Sequence, residues 1–244
     1  RKTVEGPLTL TTIYTARTDT PYKVIHKFAK LTSGYDEEVV TEYGTTGETV
    51  PAPRKERTGF ITPAAQTVLI KADGTSSVTY TYEREEYAFS ITDRTYVDST
   101  STVDGTYPYG TSITVTAATR AGYTFSEWED GTTTVSRVFT LTVNTSVAPS
   151  YSLNTDTPYT VNHFKQQLDG TYSTVDVTET GTTDTTVTAP LRSQTGYVDP
   201  TTEQVTIFGD GSAEVTYTYN RETYTFAIGD HVTSTLAPGT YMYG

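Results

Sequence analysis

The sequence has no cysteine. That excludes a disulfide framework, a thiolate zinc site, a cysteine nucleophile and a thioester crosslink. Basic residues are scarce: 17 Lys and Arg stand against 29 Asp and Glu, a formal net charge of −12. A chain with that balance and a pI near 4.6 offers no basic face to nucleic acid or anionic membrane. No apolar run approaches the ~20 residues needed to span a bilayer, so no membrane insertion is expected of this segment. There is no secretory leader, although an opening Arg1 rather than Met leaves room for one outside the chain. No Gly-x-Ser-x-Gly elbow occurs, and no cofactor motif is present.

What the chain has in quantity is threonine, nearly a quarter of all residues, and tyrosine, with twenty copies against a single tryptophan. With valine, these residues favour the pleated, half-buried surface of a sheet. The mean hydropathy is only −0.43, so the core positions must be well placed.

The placement is repeated. "VTYTYEREEYAFSI" (78–91) returns as "VTYTYNRETYTFAI" (215–228). Displaced by 137 residues, segment 18–93 falls on 155–230 without a gap, and about half of the positions are identical. "TDTPY" recurs, "TGFITP" (58–63) meets "TGYVDP" (195–200), and "TEYGTTGETVPAP" (41–53) meets "TETGTTDTTVTAP" (178–190). In the first strand Tyr22, Val24 and His26 persist as Tyr159, Val161 and His163, while the residues between them drift. A period of two means that one strand face is packed and the other free. These repeats are termed copy A1 (18–87) and copy A2 (155–224).

A different unit, B, lies between them (88–154), marked by "DGTYPYGTSITVTA" and "GYTFSEWEDG". Its opening returns after copy A2 as "GTYMYG" (239–244), so 225–244 reads as the start of a second B unit. Residues 2–16 match 139–153 in frame, so 1–17 reads as the end of a preceding one. The chain thus reads as a window on a longer A–B–A–B array.

Turn dipeptides bound the strands. Asp73-Gly74, Asp104-Gly105, Asp130-Gly131, Asp169-Gly170 and Asp210-Gly211 predict hairpins with type I′ turns. The only helix candidates are short stretches at 26–31 and 163–168. At the A-to-B joint the aromatic pattern runs on through Tyr82, Arg84, Glu85 and Tyr87, and again through Tyr219, Arg221, Glu222 and Tyr224. No Gly or Pro interrupts it, which predicts a stiff joint. The B-to-A joint, "NTDTP" (154–158), is restrained by its proline.

Copy A resembles the mucin-binding-protein (MucBP-like) and internalin B B-repeat modules of bacterial surface proteins. The resemblance rests on "PYxVxH", "ETGTT…V…AP", "TGY" and a closing "DG…VTYTY". Unit B is similar to the Listeria–Bacteroides repeat, in Tyr109-Gly110-Thr111, Ile113, Ala117, Gly122-Tyr123-Thr124-Phe125 and Trp128. Together these cover essentially the whole chain. The resemblance implies small β-grasp-like (ubiquitin-like) modules in tandem, all-β to α+β, strung as an extended rod. It also implies an extracellular place, on the bacterial cell surface or in the cell wall.

Chemistry-bearing residues are few. His26 and His163 recur, and each can be a weak binding candidate or a half-buried strand residue whose ring nitrogen meets the backbone. A lone histidine without a second ligand makes no metal site. Trp128 can stack on a sugar or anchor its own module. Glu42 and Glu179 recur beside a turn, without the second carboxylate that glycoside hydrolysis needs. The acidic clusters Asp36-Glu37-Glu38 and Glu127, Glu129, Asp130 lack the spaced pattern of a calcium loop. Lys165 stands where copy A1 has Phe28, and no lysine keeps its register, which argues against a shared isopeptide crosslink. Asn144-Thr145-Ser146 is an isolated glycosylation sequon.

These residues point away from an enzyme and towards a stalk segment of a surface adhesin or extracellular fibre, acting as a rigid spacer. The alternatives are a mucin- or glycan-binding module proper and an accessory segment of a secreted enzyme. Expected partners are a host glycoprotein or mucin, or like chains in a fibre.

Overall fold

A computed structural model describes Gly6, Thr9 and residues 11–244. The expected tail of a preceding B unit, 1–17, lies partly outside the described residues. Residues 11–17 have no regular structure and are exposed.

Among the described residues the protein is nearly all β, with one short 3₁₀ turn (Arg94–Tyr96) and no α-helix. Copy A1 contains β1 (Thr20–Ala29), β2 (Tyr35–Gly44), β3 (Thr49–Pro51), β4 (Thr67–Leu69) and β5 (Ser77–Tyr82). The segment after it contains β6 (Glu86–Ile91), β7 (Gly105–Pro108), β8 (Ser112–Thr116), β9 (Tyr123–Trp128), β10 (Ser136–Thr140), β11 (Thr145–Val147) and β12 (Pro149–Leu153). Copy A2 has β13 (Thr157–Gln166), β14 (Tyr172–Gly181), β15 (Thr186–Thr188), β16 (Tyr197–Val198), β17 (Gln204–Thr206) and β18 (Glu214–Arg221). The hairpin β19 (Thr223–Phe226) and β20 (Gly239–Met242) follows. Two compact units form. One holds the described residues up to Ile91 with Thr102–Thr114 and Val138–Ser146. The other holds Thr92–Ser101, Val115–Arg137 and Val147–Gly244. No helix is long and apolar enough to cross a membrane among the described residues.

Both copies are built alike. In A1 the order is β2-β1-β5, with β1 antiparallel to β2 and parallel to β5. In A2 it is β14-β13-β18-β16, with β13 and β18 parallel. The inner faces follow from the period of two. Tyr22, Val24, His26 and Phe28 on β1 and Val78, Tyr80 and Tyr82 on β5 are buried, and the residues between them face out. The pair β3–β4 brings Val50, Val68 and its neighbour Ile70 onto this face. In A2, Val187, Val205 and Ile207 do the same from β15–β17.

Two expectations are corrected here. The stretches at 26–31 and 163–168 are not helical: β1 runs on to Ala29 and β13 to Gln166. The alternation simply continues, with Phe28 as buried as Val24. The Asp-Gly turns are not type I′, which would need positive φ at both central residues. In Asp73-Gly74, Asp130-Gly131, Asp169-Gly170 and Asp210-Gly211 only the glycine is left-handed, with φ between 69° and 85°. The aspartate instead accepts from the residue after the glycine. Its Oδ1 takes the backbone N–H of Thr75, Thr132, Thr171 or Ser212 at 3.0 Å. Such side-chain turns are the alternative that Asp offers the backbone. At Asp104-Gly105 there is no such turn: Asp104 accepts from the Ile91 N–H at 3.1 Å, and Gly105 opens β7.

Candidate functional site

The repeated stretch forms a seam between copy A1 and the first hairpin of unit B, β6–β7. Strand β5 ends at Tyr82, the chain passes Glu83, Arg84 and Glu85, and β6 begins at Glu86. Arg84 ties both sides. Its Nε donates to the Ala29 carbonyl at the end of β1 (3.0 Å), and its Nη1 donates to the Tyr109 carbonyl beyond β7 (2.8 Å). Its guanidinium lies over Phe60, 4.9 Å from the ring centre. The Glu85 N–H donates to Gly59 O (2.9 Å), and the Tyr109 N–H donates to Glu85 O (2.7 Å). The Tyr87 hydroxyl donates to the Glu85 carboxylate at 2.7 Å, which raises the Tyr87 pKa above the ordinary phenol value. Charge-assisted bonds of this kind are the stronger class.

Gly59 closes the seam. It has φ +80°, and a Cβ there would lie 2.1 Å from Cδ1 of Tyr109. The tyrosine ring therefore rests on bare backbone, which only glycine presents in this conformation.

Copy A2 repeats the seam with the hairpin β19–β20. Arg221 Nε donates to Gln166 O (3.1 Å), and its Nη1 donates to Tyr243 O. The Glu222 N–H donates to Gly196 O (2.9 Å), and the Tyr243 N–H donates to Glu222 O (2.8 Å). The Tyr224 hydroxyl donates to Glu222. Gly196, at φ +86°, would place a Cβ 2.0 Å from Tyr243 Cδ1. Arg221 lies over Tyr197 as Arg84 lies over Phe60. All these partners belong to copy A and one hairpin. The "TGF/TGY" and "GTYPYG/GTYMYG" motifs are the two sides of this contact.

Tyr82 and Tyr219, two residues before the seam arginines, carry the histidines. The Tyr82 hydroxyl accepts from the Lys55 N–H (2.8 Å) and lies 2.9 Å from His26 Nδ1. The hydroxyl and His26 Nδ1 thus share one hydrogen bond inside the core. Tyr219 does the same with the Arg192 N–H (2.8 Å) and His163 Nδ1 (3.1 Å). Both histidines are buried. Burial pushes both below the ordinary imidazole pKa, helped by Lys55 at His26 and by Arg192 and Lys165 at His163. Nδ1 of each ring thus meets a tyrosine hydroxyl rather than the backbone.

Trp128 is buried against Phe125, with its Nε1 donating to Thr134 O (2.9 Å). Arg137 lies over its ring and pairs with Glu129 and Asp130. The other acidic cluster is matched by cations as well: Lys27 with Glu37, Lys30 with Asp36, and Lys55 and Arg57 with Glu38. The Lys27–Glu37 pair follows from direct cross-strand register.

The joint leading into copy A2 packs backbone against backbone. A Cβ on Gly122 would lie 2.3 Å from Gly209 Cα, and one on Gly209 would lie 2.2 Å from Ala121 O. The Tyr123 hydroxyl donates to Asp184, and the Thr183 N–H donates to Asn154 O (3.0 Å). Copy A1 keeps the last bond, from the Thr46 N–H to Arg17 O (2.8 Å). It has Gly47 and Ala72 where A2 has Asp184 and Gly209. Among the described residues the A-to-B seam is present with all of its bonds in both copies.

The comparisons with known proteins bear on the middle segment. Residues 91–155 match the family model of the divergent InlB B-repeat domain. The matched stretch runs from the end of β6 to just past β12. That internalin B likeness falls on unit B, whereas the resemblance read from the sequence placed it on the copies. No curated protein matches. Among solved structures, the chain is similar to the crystal structure of the pilus adhesin SpaC from Lactobacillus rhamnosus GG, at 9% identity and a TM-score of 0.23. The likeness covers 83% of this chain and 44% of that one, so the chain spans less than half its length.

Proposed function

We propose that this chain is a repeat segment of a bacterial cell-surface adhesin, in which small tandem modules act as a stiff spacer. The A-to-B seam carries the reading. It is reproduced bond for bond in two copies that are identical at only about half of their positions. A flexible linker would place no such demand on Arg84, Glu85 and Gly59 or on Arg221, Glu222 and Gly196. The match of residues 91–155 to a divergent InlB B-repeat domain supports the repeat and surface assignment. In this reading the copies are β-grasp-like modules: their parallel central pair, β1–β5 or β13–β18, supports that kinship, and β3–β4 or β15–β17 covers the inner face. No catalytic role is assigned, and the cluster carboxylates serve as paired surface charge.

Small-angle scattering tests the spacer. A compact fold of 244 residues has a radius of gyration of about 18 Å. The spacer predicts a value well above that, unchanged between low and high salt. A value near 18 Å would overturn it.

A further inference from the structure

We propose that copies A1 and A2 are tension-bearing clamps, which extends the spacer reading from stiffness to load. The chain enters A1 at the start of β1 and leaves it at the end of β5. These two strands are neighbours and parallel, in register from Lys23↔Ser77 to Phe28↔Tyr82. A pull on the two ends of the copy therefore drives β1 and β5 in opposite directions along their own axes. The ladder is loaded in shear, so its bonds share the force and must fail together. An antiparallel pair pulled from one end fails bond by bond instead.

Side chains reinforce the same two strands. Phe28 stacks on Tyr82 with ring centres 4.5 Å apart, and His26 bonds the Tyr82 hydroxyl. Arg84, just past β5, holds the far end of β1 at Ala29 O and passes the load to Tyr109 O of the next hairpin. Copy A2 has the same arrangement. There β13 and β18 are parallel from Thr160↔Glu214 to Lys165↔Tyr219, His163 bonds Tyr219, and Arg221 holds Gln166 O. Covalent crosslinks are not required, in keeping with the absence of cysteine.

The pulling direction tests this. The chain has no native cysteine, so introduced pairs define the attachment points in the full chain. Asp19→Cys with Glu86→Cys loads β1 against β5 in shear. Asp19→Cys with Tyr43→Cys pulls at one end of the β1–β2 pair, where Thr20 faces Gly44, and peels it. All three positions are exposed. Single-molecule stretching at one speed should give a rupture force at least about twofold higher for the first pair, with about 190 Å of added length. Equal forces, or a lower force in shear, would overturn the clamp. That outcome is distinct from failure of the spacer reading, which rests on the radius of gyration and not on force.

Discussion

Gly59→Ala is expected to destabilise the chain by about 2–5 kcal/mol. Two costs add. An alanine held at φ +80° loses roughly 1–2 kcal/mol to its backbone conformation. Its Cβ also enters the Tyr109 ring, 2.1 Å from Cδ1, and overpacking of this kind costs about 1–3 kcal/mol. Gly34 provides the control. It has nearly the same φ, +79°, but a Cβ there meets nothing within 4 Å. Gly34→Ala should therefore show only the conformational cost. Urea denaturation of the two variants measures the difference, which is the seam contact alone. Gly196→Ala should repeat the larger loss through Tyr243. Equal losses for Gly59→Ala and Gly34→Ala would mean that Tyr109 moves aside freely and the seam is not specified.

Acid should weaken both copies before their carboxylates titrate. His26 and His163 are held neutral by burial, helped by Lys55 at His26 and by Arg192 and Lys165 at His163. The unfolded chain has ordinary histidines with pKa near 6.5. Between that value and the lowered folded value, the unfolded state binds more protons, so stability rises with pH. The contribution is complete above about pH 6.5 and declines as pH falls towards the folded-state pKa. In that window each histidine costs up to about 1.4 kcal/mol per pH unit. The fall in net negative charge over the same range acts in the opposite direction, so the histidines must be isolated. His26→Gln with His163→Gln should abolish the slope. Nuclear magnetic resonance titration of the wild-type rings checks the same point without a substitution. Imidazole shifts that move with a midpoint at or above 6.5 would refute it.

Much of the fold was legible because the repeat shows which positions persist. Tyr22, Val24 and His26 read as one packed strand face, and they are buried. The same comparison hid the end of β1, because Phe28 corresponds to Lys165 in the other copy and the shared alternation stops at His26. Lys165 keeps the layer by another route: it lies near the Tyr219 and Tyr197 rings and donates to Gln194, where A1 has Arg57 over Phe28 and Phe60. The Asp-Gly dipeptide alone does not show the turn type, because the Asp carboxylate accepts from the backbone N–H two residues on. Arg84 and Glu85 were recognisable as joint residues from their return as Arg221 and Glu222. Their partner Gly59 was not, because its contact with Tyr109 spans fifty residues and depends on tertiary packing. The hydroxyl partners of the histidines were equally hidden. They follow from the parallel register, which sets Tyr82 beside Phe28 and one step along from His26.

The repeated stretch sets one seam geometry, twice. Spin labels on Thr79→Cys and Thr106→Cys report the first seam, and labels on Thr216→Cys and Thr240→Cys report the second, at equivalent exposed positions. Pulsed dipolar spectroscopy on the two doubly labelled chains should give narrow distance distributions with the same mean. Broad distributions, or two different means, would contradict the account.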